Sequence, residues 1–206
     1  MNETKRGVLL VISGPAGSGK GTVVEALRAR LPDIGFSVSA TTRAPRPGEK
    51  DGVHYYFITK EAFVAAINAG EILEHTVYCD NYYGTPRSEV DRVLGTGKDL
   101  ILEIETEGAM QIKRLFPDAV TIMLLPPDGK TLEARLRGRG TETDEVIRRR
   151  MTRAAEEIQL ADRYDYIVLN ENDGIEKCAA DIAGILAAEH CRPAYRKSIT
   201  DSFFDN

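Results

Sequence analysis

With 206 residues, 42% of them hydrophobic and 29% charged, the chain can bury one sizeable α/β core, and its composition excludes a disordered protein. A net charge of -5 gives no general attraction to nucleic acid or an anionic membrane, and no apolar stretch is long enough to cross a bilayer. The three cysteines (Cys79, Cys178 and Cys191) are widely spaced with no CxxC pair, which fits reduced thiols in a cytoplasmic protein and neither a zinc site nor a disulfide framework.

The first element expected is a buried strand at Val8 to Ile12, preceded by Lys5 and Arg6. This run is too short for a secretory core and leads into a glycine-rich turn. A helix follows over Gly21 to Leu31, where Val24, Leu27 and Leu31 recur at spacings of three and four. Residues 36 to 85 read differently, with Tyr55, Tyr56, Tyr78, Tyr82 and Tyr83 among several Gly and Pro. Thr42 to Gly52 is expected as a loop, Val53 to Ile58 as a strand and Lys60 to Ala69 as a helix, together a small mixed α+β insertion. Strand-like runs return at Leu100 to Ile104, Val120 to Leu125 and Tyr166 to Leu169. None alternates strictly, as expected of strands buried on both faces of a parallel sheet. A helix with Ile147, Met151, Ala154 and Ile158 on one stripe is expected over Glu142 to Asp162, and another carries Ile175, Cys178, Ile182 and Ile185. This alternation predicts a doubly wound α/β fold with ligands at the carboxyl ends of the strands. The expected organisation is one domain. Its core spans 1–36, 86–127 and 160–191, its insertion 37–85, its helical lid 128–159 and its tail 192–206.

The sharpest motif is Gly14-Pro15-Ala16-Gly17-Ser18-Gly19-Lys20, a G-x-x-x-x-G-K loop between a strand and a helix. Its glycines let successive backbone N–H groups face an anion, the helix amino end adds partial positive charge, and Lys20 can reach the β- and γ-phosphates. Gly21 stands where most such loops carry a Mg²⁺-ligating Ser or Thr, and Thr22 follows. Mg²⁺ is therefore expected to be held by phosphates and water, with no protein metal site.

The acceptor is named by other segments. Phe36-Ser37-Val38-Ser39-Ala40-Thr41-Thr42-Arg43-Ala44-Pro45-Arg46-Pro47-Gly48-Glu49 is joined by Gly52-Val53-His54-Tyr55-Tyr56-Phe57, Tyr82-Tyr83-Gly84-Thr85 and Arg135-Leu136-Arg137-Gly138-Arg139-Gly140-Thr141-Glu142. In order and spacing these segments resemble the guanylate kinase family from about Gly7 to Asn170. The resemblance implies a P-loop nucleoside monophosphate kinase that uses ATP and Mg²⁺ to turn GMP, and dGMP with it, into the diphosphate. It implies that Arg43, Arg46, Tyr55 and Tyr83 hold the GMP phosphate and that Ser39, Glu74, Thr85 and Glu103 read the guanine edge. Arg135, Arg139 and Arg150 would close over the transferred phosphate, and Asn170 would lie near adenine. Gly14 to Thr22, with Arg139 and Asn170, form the expected ATP site. Lys20, Arg43, Arg135, Arg139 and Arg150 form the expected catalytic set. Glu105 joins the GMP set, although the family usually has Asp there and Gln at Glu107.

The chemistry of guanine agrees with that set. Guanine accepts at O6 and donates from N1 and N2, so hydroxyls on Ser39 and Thr85 with carboxylates on Glu74 and Glu103 complement it. Adenine reverses the pattern and would leave buried acids facing an acceptor. The attacking phosphate oxygen is already ionised near neutrality, since a phosphate monoester has a second pKa of ~6, so no general base is required. His54, His75 and His190 are read as structural. A kinase for another acceptor and a non-catalytic binding module are the competing readings, against which stand the four guanine-reading residues and the intact loop. A regulatory GTPase would carry an N-K-x-D motif, which is absent.

Overall fold

The computed structural model describes residues 7–78, 80–138, 143–196, 199 and 201. Five parallel strands form the main sheet: β1 (Leu9–Ser13), β2 (Gly35–Phe36), β7 (Leu100–Glu103), β8 (Val120–Leu125) and β9 (Tyr166–Leu169). Their order is β2-β7-β1-β8-β9, so consecutive segments fall on both sides of β1. The register sets Leu9 beside Leu100 and Leu10 beside Val120.

The want of alternation in these strands has a direct cause. Leu10, Ile12, Ile101 and Ile122 enter one apolar cluster, packed under α1 (Lys20–Arg30) and α7 (Ile175–Glu189). Their neighbours Leu9, Val11, Leu100 and Leu102 enter a second cluster, under α3 (Arg87–Leu94) and α4 (Thr106–Leu115). Both faces are buried, so both must be apolar. The doubly wound expectation therefore holds.

A second, mixed sheet is built from β3 (Ala40–Thr41), β4 (Tyr56–Phe57), β5 (Ile72–Tyr78) and β6 (Asn81–Pro86), in the order β4-β3-β6-β5. The antiparallel pair β5–β6 is its longest ladder. Helix α2 (Lys60–Asn68) covers it with the fully buried Phe63, which stacks on Tyr82 at 5.3 Å. Thr59 caps α2 by accepting from the Ala62 amide. The remaining helices, α5 (Gly129–Arg137) and α6 (Asp144–Ile158), pack through Leu132, Leu136, Ile147 and Ala154.

Several sequence expectations shift. The expected strand over Val53 to Ile58 shrinks to Tyr56–Phe57, because Val53 is 61% exposed and its neighbours form a turn. The strand expected to end at Ile104 ends at Glu103, and the helix expected from Gly21 begins at Lys20. The helix expected to reach Asp162 stops at Ile158, where its apolar stripe runs out, and starts after the capping residue Thr143. Strand β2 and helices α3 and α4 had no sequence counterpart, whereas α5 lies in the stretch expected as the helical lid. β2 has two residues, and α3 and α4 are short helices. No helix among the described residues is long and apolar enough to cross a membrane.

Candidate active site

At the end of β1 the chain turns through Gly14, Gly17 and Gly19, with φ of 148°, 93° and 90°. Close packing as well as backbone freedom requires two of these glycines. A Cβ on Gly14 would lie 2.2 Å from the Leu124 carbonyl oxygen, and one on Gly19 would lie 2.4 Å from the Asn170 amide nitrogen. Helix α1 then starts with no side-chain cap and no acid in its first turn, so its first N–H groups stay available to an anion. Lys20 folds back and donates to the Gly14 carbonyl at 2.5 Å.

The loop is held from behind. Asn170 donates to the Ser18 carbonyl at 2.8 Å, and the Arg135 guanidinium donates to the carbonyls of Ser18 and Asn170 at 3.4 and 2.8 Å. Arg135 thus braces the outer side of the loop, beside Lys130, Thr131, Ala134 and Asn172. A Cβ on Gly17 would touch Leu132 and Leu136, so α5 packs directly on the loop.

Lys20 opens into a cavity of about 300 Å³ between the two sheets. Ser39, Tyr55, Glu74, Tyr83, Glu103 and Glu105 line it with Lys20, bringing most of the sequence-predicted GMP residues to one wall system. The Glu74 side chain is buried at 3% exposure, and the Thr85 hydroxyl donates to it at 2.7 Å. Burial pushes its carboxyl up to about 7, the Thr85 hydrogen bonds opposing. Glu103 is also raised by burial, while the Lys20 charge pulls the other way. The Thr85 proton is committed to Glu74, so this hydroxyl orients the acid and does not face the open cavity.

Arg43 reaches the rim from the loop after β3. It makes a fork-to-fork pair with Glu49, both N–H···O distances 2.9 Å, and lies over the rings of Tyr55 and Phe57. Glu49 also accepts from the Arg46 amide at 2.6 Å. These bonds, the Arg43 pair first, hold the Glu49 carboxyl down at about 2. Arg46 lends its backbone to this knot and is not among the cavity-lining residues. Sequence reading placed Glu49 in the segment but gave it no role; its signal is an acid three residues beyond Arg46 inside a Pro-Gly loop.

Arg150 does not line the main cavity. It sits in an adjoining hollow with Ala16, Glu105, Arg153 and Glu157, and donates to the Tyr78 hydroxyl at 2.8 Å. That bond joins α6 to the insertion. Arg153, which pairs with Glu157 at 3.0 Å, is a further cation here that no motif in the sequence singles out. Arg139 lies outside the described residues, as do Gly140, Thr141, Glu142 and Cys79. Cys178 is buried and Cys191 exposed, and both are free thiols. The His54 ring accepts from the Lys50 amide and His190 pairs with Asp99, so both rings have structural partners.

Comparison with known proteins gives a consistent result. The family described as guanylate kinase matches residues 6–189. A guanylate kinase of Halalkalibacterium halodurans is 52% identical over 190 residues, 92% of each chain. One from Desulfitobacterium hafniense is 47% identical over 190 residues, covering 92% of this chain and 94% of its own. The crystal structure of the guanylate kinase of Anaplasma phagocytophilum superposes with a TM-score of 0.72 at 36% identity, covering 91% of this chain and 88% of that one.

Proposed function

The chain belongs to the guanylate kinase family and is a kinase that phosphorylates GMP; from that premise we propose how its own residues carry the reaction and where its finer specificity lies. The observation that carries the reading is the single cavity lined at once by Lys20 of the phosphate loop and by the buried acids Glu74 and Glu103. ATP is the donor. Its phosphates lie in the cradle of Gly14 to Thr22 with Lys20 leaving the Gly14 carbonyl for them, and Asn170 lies towards the adenine. GMP and dGMP are the acceptors, because nothing in the reading depends on the 2′-hydroxyl.

Glu74 and Glu103 accept from N1 and N2 of guanine, and the Ser39 hydroxyl donates to O6. Thr85 keeps Glu74 in place. Arg43, Arg46, Tyr55 and Tyr83 hold the acceptor phosphate, with Arg43 aimed by Glu49. Helices α5 and α6 act as the lid, α5 carrying Arg135 and α6 carrying Arg150, and Arg139 of the intervening sequence joins them in closing over the transferred phosphate. The GMP phosphate oxygen attacks in line without a general base. What the protein supplies is positioning and charge neutralisation in a site from which water is expelled.

Mg²⁺ fits this donor set in one way. Among the described residues no group of three or more His, Cys, Asp or Glu converges as a metal site. Gly21 offers no hydroxyl, although a Cβ there would stand an ordinary 3.6 Å from Glu103. Glu105, on the cavity wall, would hold a Mg²⁺ chiefly through water while ATP oxygens hold it directly. The ion would neutralise phosphate charge. A cytoplasmic site of action is consistent with the thiol pattern. The test is ADP release from ATP and Mg²⁺ with GMP, dGMP, IMP, AMP, CMP and UMP offered in turn. Fast turnover with GMP and dGMP and little with the rest is expected, and equal use of AMP would overturn the guanine-reading assignment.

A further inference from the structure

Glu74 is fixed on two sides. On one, its Oε1 accepts from Thr85 at 2.7 Å. On the other, its Oε2 rests on the bare Cα of Gly108, in the first turn of α4. A Cβ at that position would stand 2.2 Å from Oε2, 3.0 Å from Cδ and 3.4 Å from Cγ. Rotating the carboxyl group moves Oε2 but leaves Cδ at 3.0 Å, tighter than ordinary contact, so the whole Glu74 side chain must also give.

Helix α4 cannot retreat either. One turn along it, Gln111 accepts from the His75 amide at 3.3 Å and donates to the His75 carbonyl at 3.2 Å, tying α4 to β5 beside Glu74. Ala109 and Ile112 are fully buried against the main sheet. The conformation of Gly108 is helical and needs no positive φ, so backbone freedom does not explain the glycine. Alanine would even favour the helix.

We propose that Gly108 is a positioning residue for base selection: by leaving room for the Glu74 carboxylate, it sets the depth at which a six-membered purine edge with an amino group at position 2 is accepted. A methyl group at 108 has only the Glu74 side chain to displace, and the space open to that side chain is the cavity where the base lies. Relieving the 2.2 Å contact moves Oε2 by about 1 Å, which exceeds the narrow distance range of a good hydrogen bond. The acid then crowds the base and no longer meets its N2 amino group. This inference rests on the reading that Glu74 accepts from guanine.

The experiment compares wild type, Gly108→Ala and Glu74→Gln, with GMP and IMP as acceptors. IMP differs from GMP only in lacking the amino group, so the ratio of their kcat/KM values isolates that contact. Gly108→Ala is expected to lower the GMP-to-IMP ratio by about tenfold or more, as Glu74→Gln does, with KM for ATP unchanged within about twofold. General damage to the fold would lower both acceptors and ATP use together. If Glu74→Gln lowers the ratio and Gly108→Ala leaves it at the wild-type value, the role of Gly108 is overturned. If neither variant changes the ratio, the guanine-reading role of Glu74 fails and the inference goes with it. Should Gly108→Ala not accumulate as folded protein, Gln111→Leu carries the test by loosening α4 from β5. A lowered ratio at unchanged ATP KM supports the role, and an unchanged ratio overturns it.

Discussion

The two ends of the cavity are made of different material. In the proposed reading, recognition at the donor end is backbone: Gly14, Gly17 and Gly19 turn the chain, α1 offers its free N–H groups, and one side chain, Lys20, is added. At the acceptor end it is almost wholly side chain, with Glu74, Glu103, Ser39, Tyr55 and Tyr83 presented from both sheets and the segments between them. A backbone cradle suits phosphate, which every nucleotide carries. Side chains with fixed donor and acceptor sense can tell one base from another. On that reading the molecule separates affinity for charge from selection of the base, and the two should fail separately when mutated.

The largest expected effect lies at the donor end. Lys20→Ala should lower kcat by on the order of 10³ with every acceptor, while the GMP-to-IMP ratio stays at the wild-type value. Steady-state assays with both acceptors check this. A collapse of the ratio would break the separation. Glu74→Gln is the converse: the ratio should fall by about 10- to 100-fold, with KM for ATP unchanged. At the rim, Glu49→Gln removes one charge from the Arg43 pair and should raise KM for GMP roughly fivefold with little change in kcat, because Arg43 loses its aim and keeps its charge.

A smaller effect sharpens the contrast through pH. The Glu74 carboxyl is raised from 4.5 to about 7 by burial, so the empty fold prefers the neutral acid. Its contribution to stability is fully present below about 4.5 and is lost as pH rises through about 7. On the proposed reading the ionised form meets guanine, so GMP binding should release a proton. Affinity relative to Glu74→Gln should rise between pH 6 and pH 8 by up to about tenfold. Calorimetric titration of both proteins across that range measures it, and the variant cancels the titration of the GMP phosphate itself. Equal pH profiles would show that Glu74 is already ionised in the empty site.

The same contrast explains what could be read from the sequence. The donor end is contiguous: loop, lysine and flanking strand lie within Val8 to Thr22, and their spacing alone places them. The main sheet was legible because strands buried on both faces are continuous apolar runs. The acceptor end was legible only as a set of segments resembling a family. Glu74 is marked as a reader of guanine by the family resemblance and by nothing in its own surroundings, and nothing around Gly108 in the sequence marks it as a contact of residue 74. The two-residue strands β2, β3 and β4 are too short for any periodicity. Arg43 could be assigned to the GMP phosphate by resemblance, but its pairing with Glu49 depends on loop geometry that residue types do not encode.

In the proposed reading one cavity holds both nucleotides at once, the cradle taking one and the acid-lined wall the other. Titration with a compound joining adenosine and guanosine through a chain of phosphates tests this most directly. One molecule should bind per chain, far more tightly than ATP or GMP alone, with affinity lost in both Lys20→Ala and Glu74→Gln. Two molecules bound independently, or an affinity indifferent to either substitution, would contradict it.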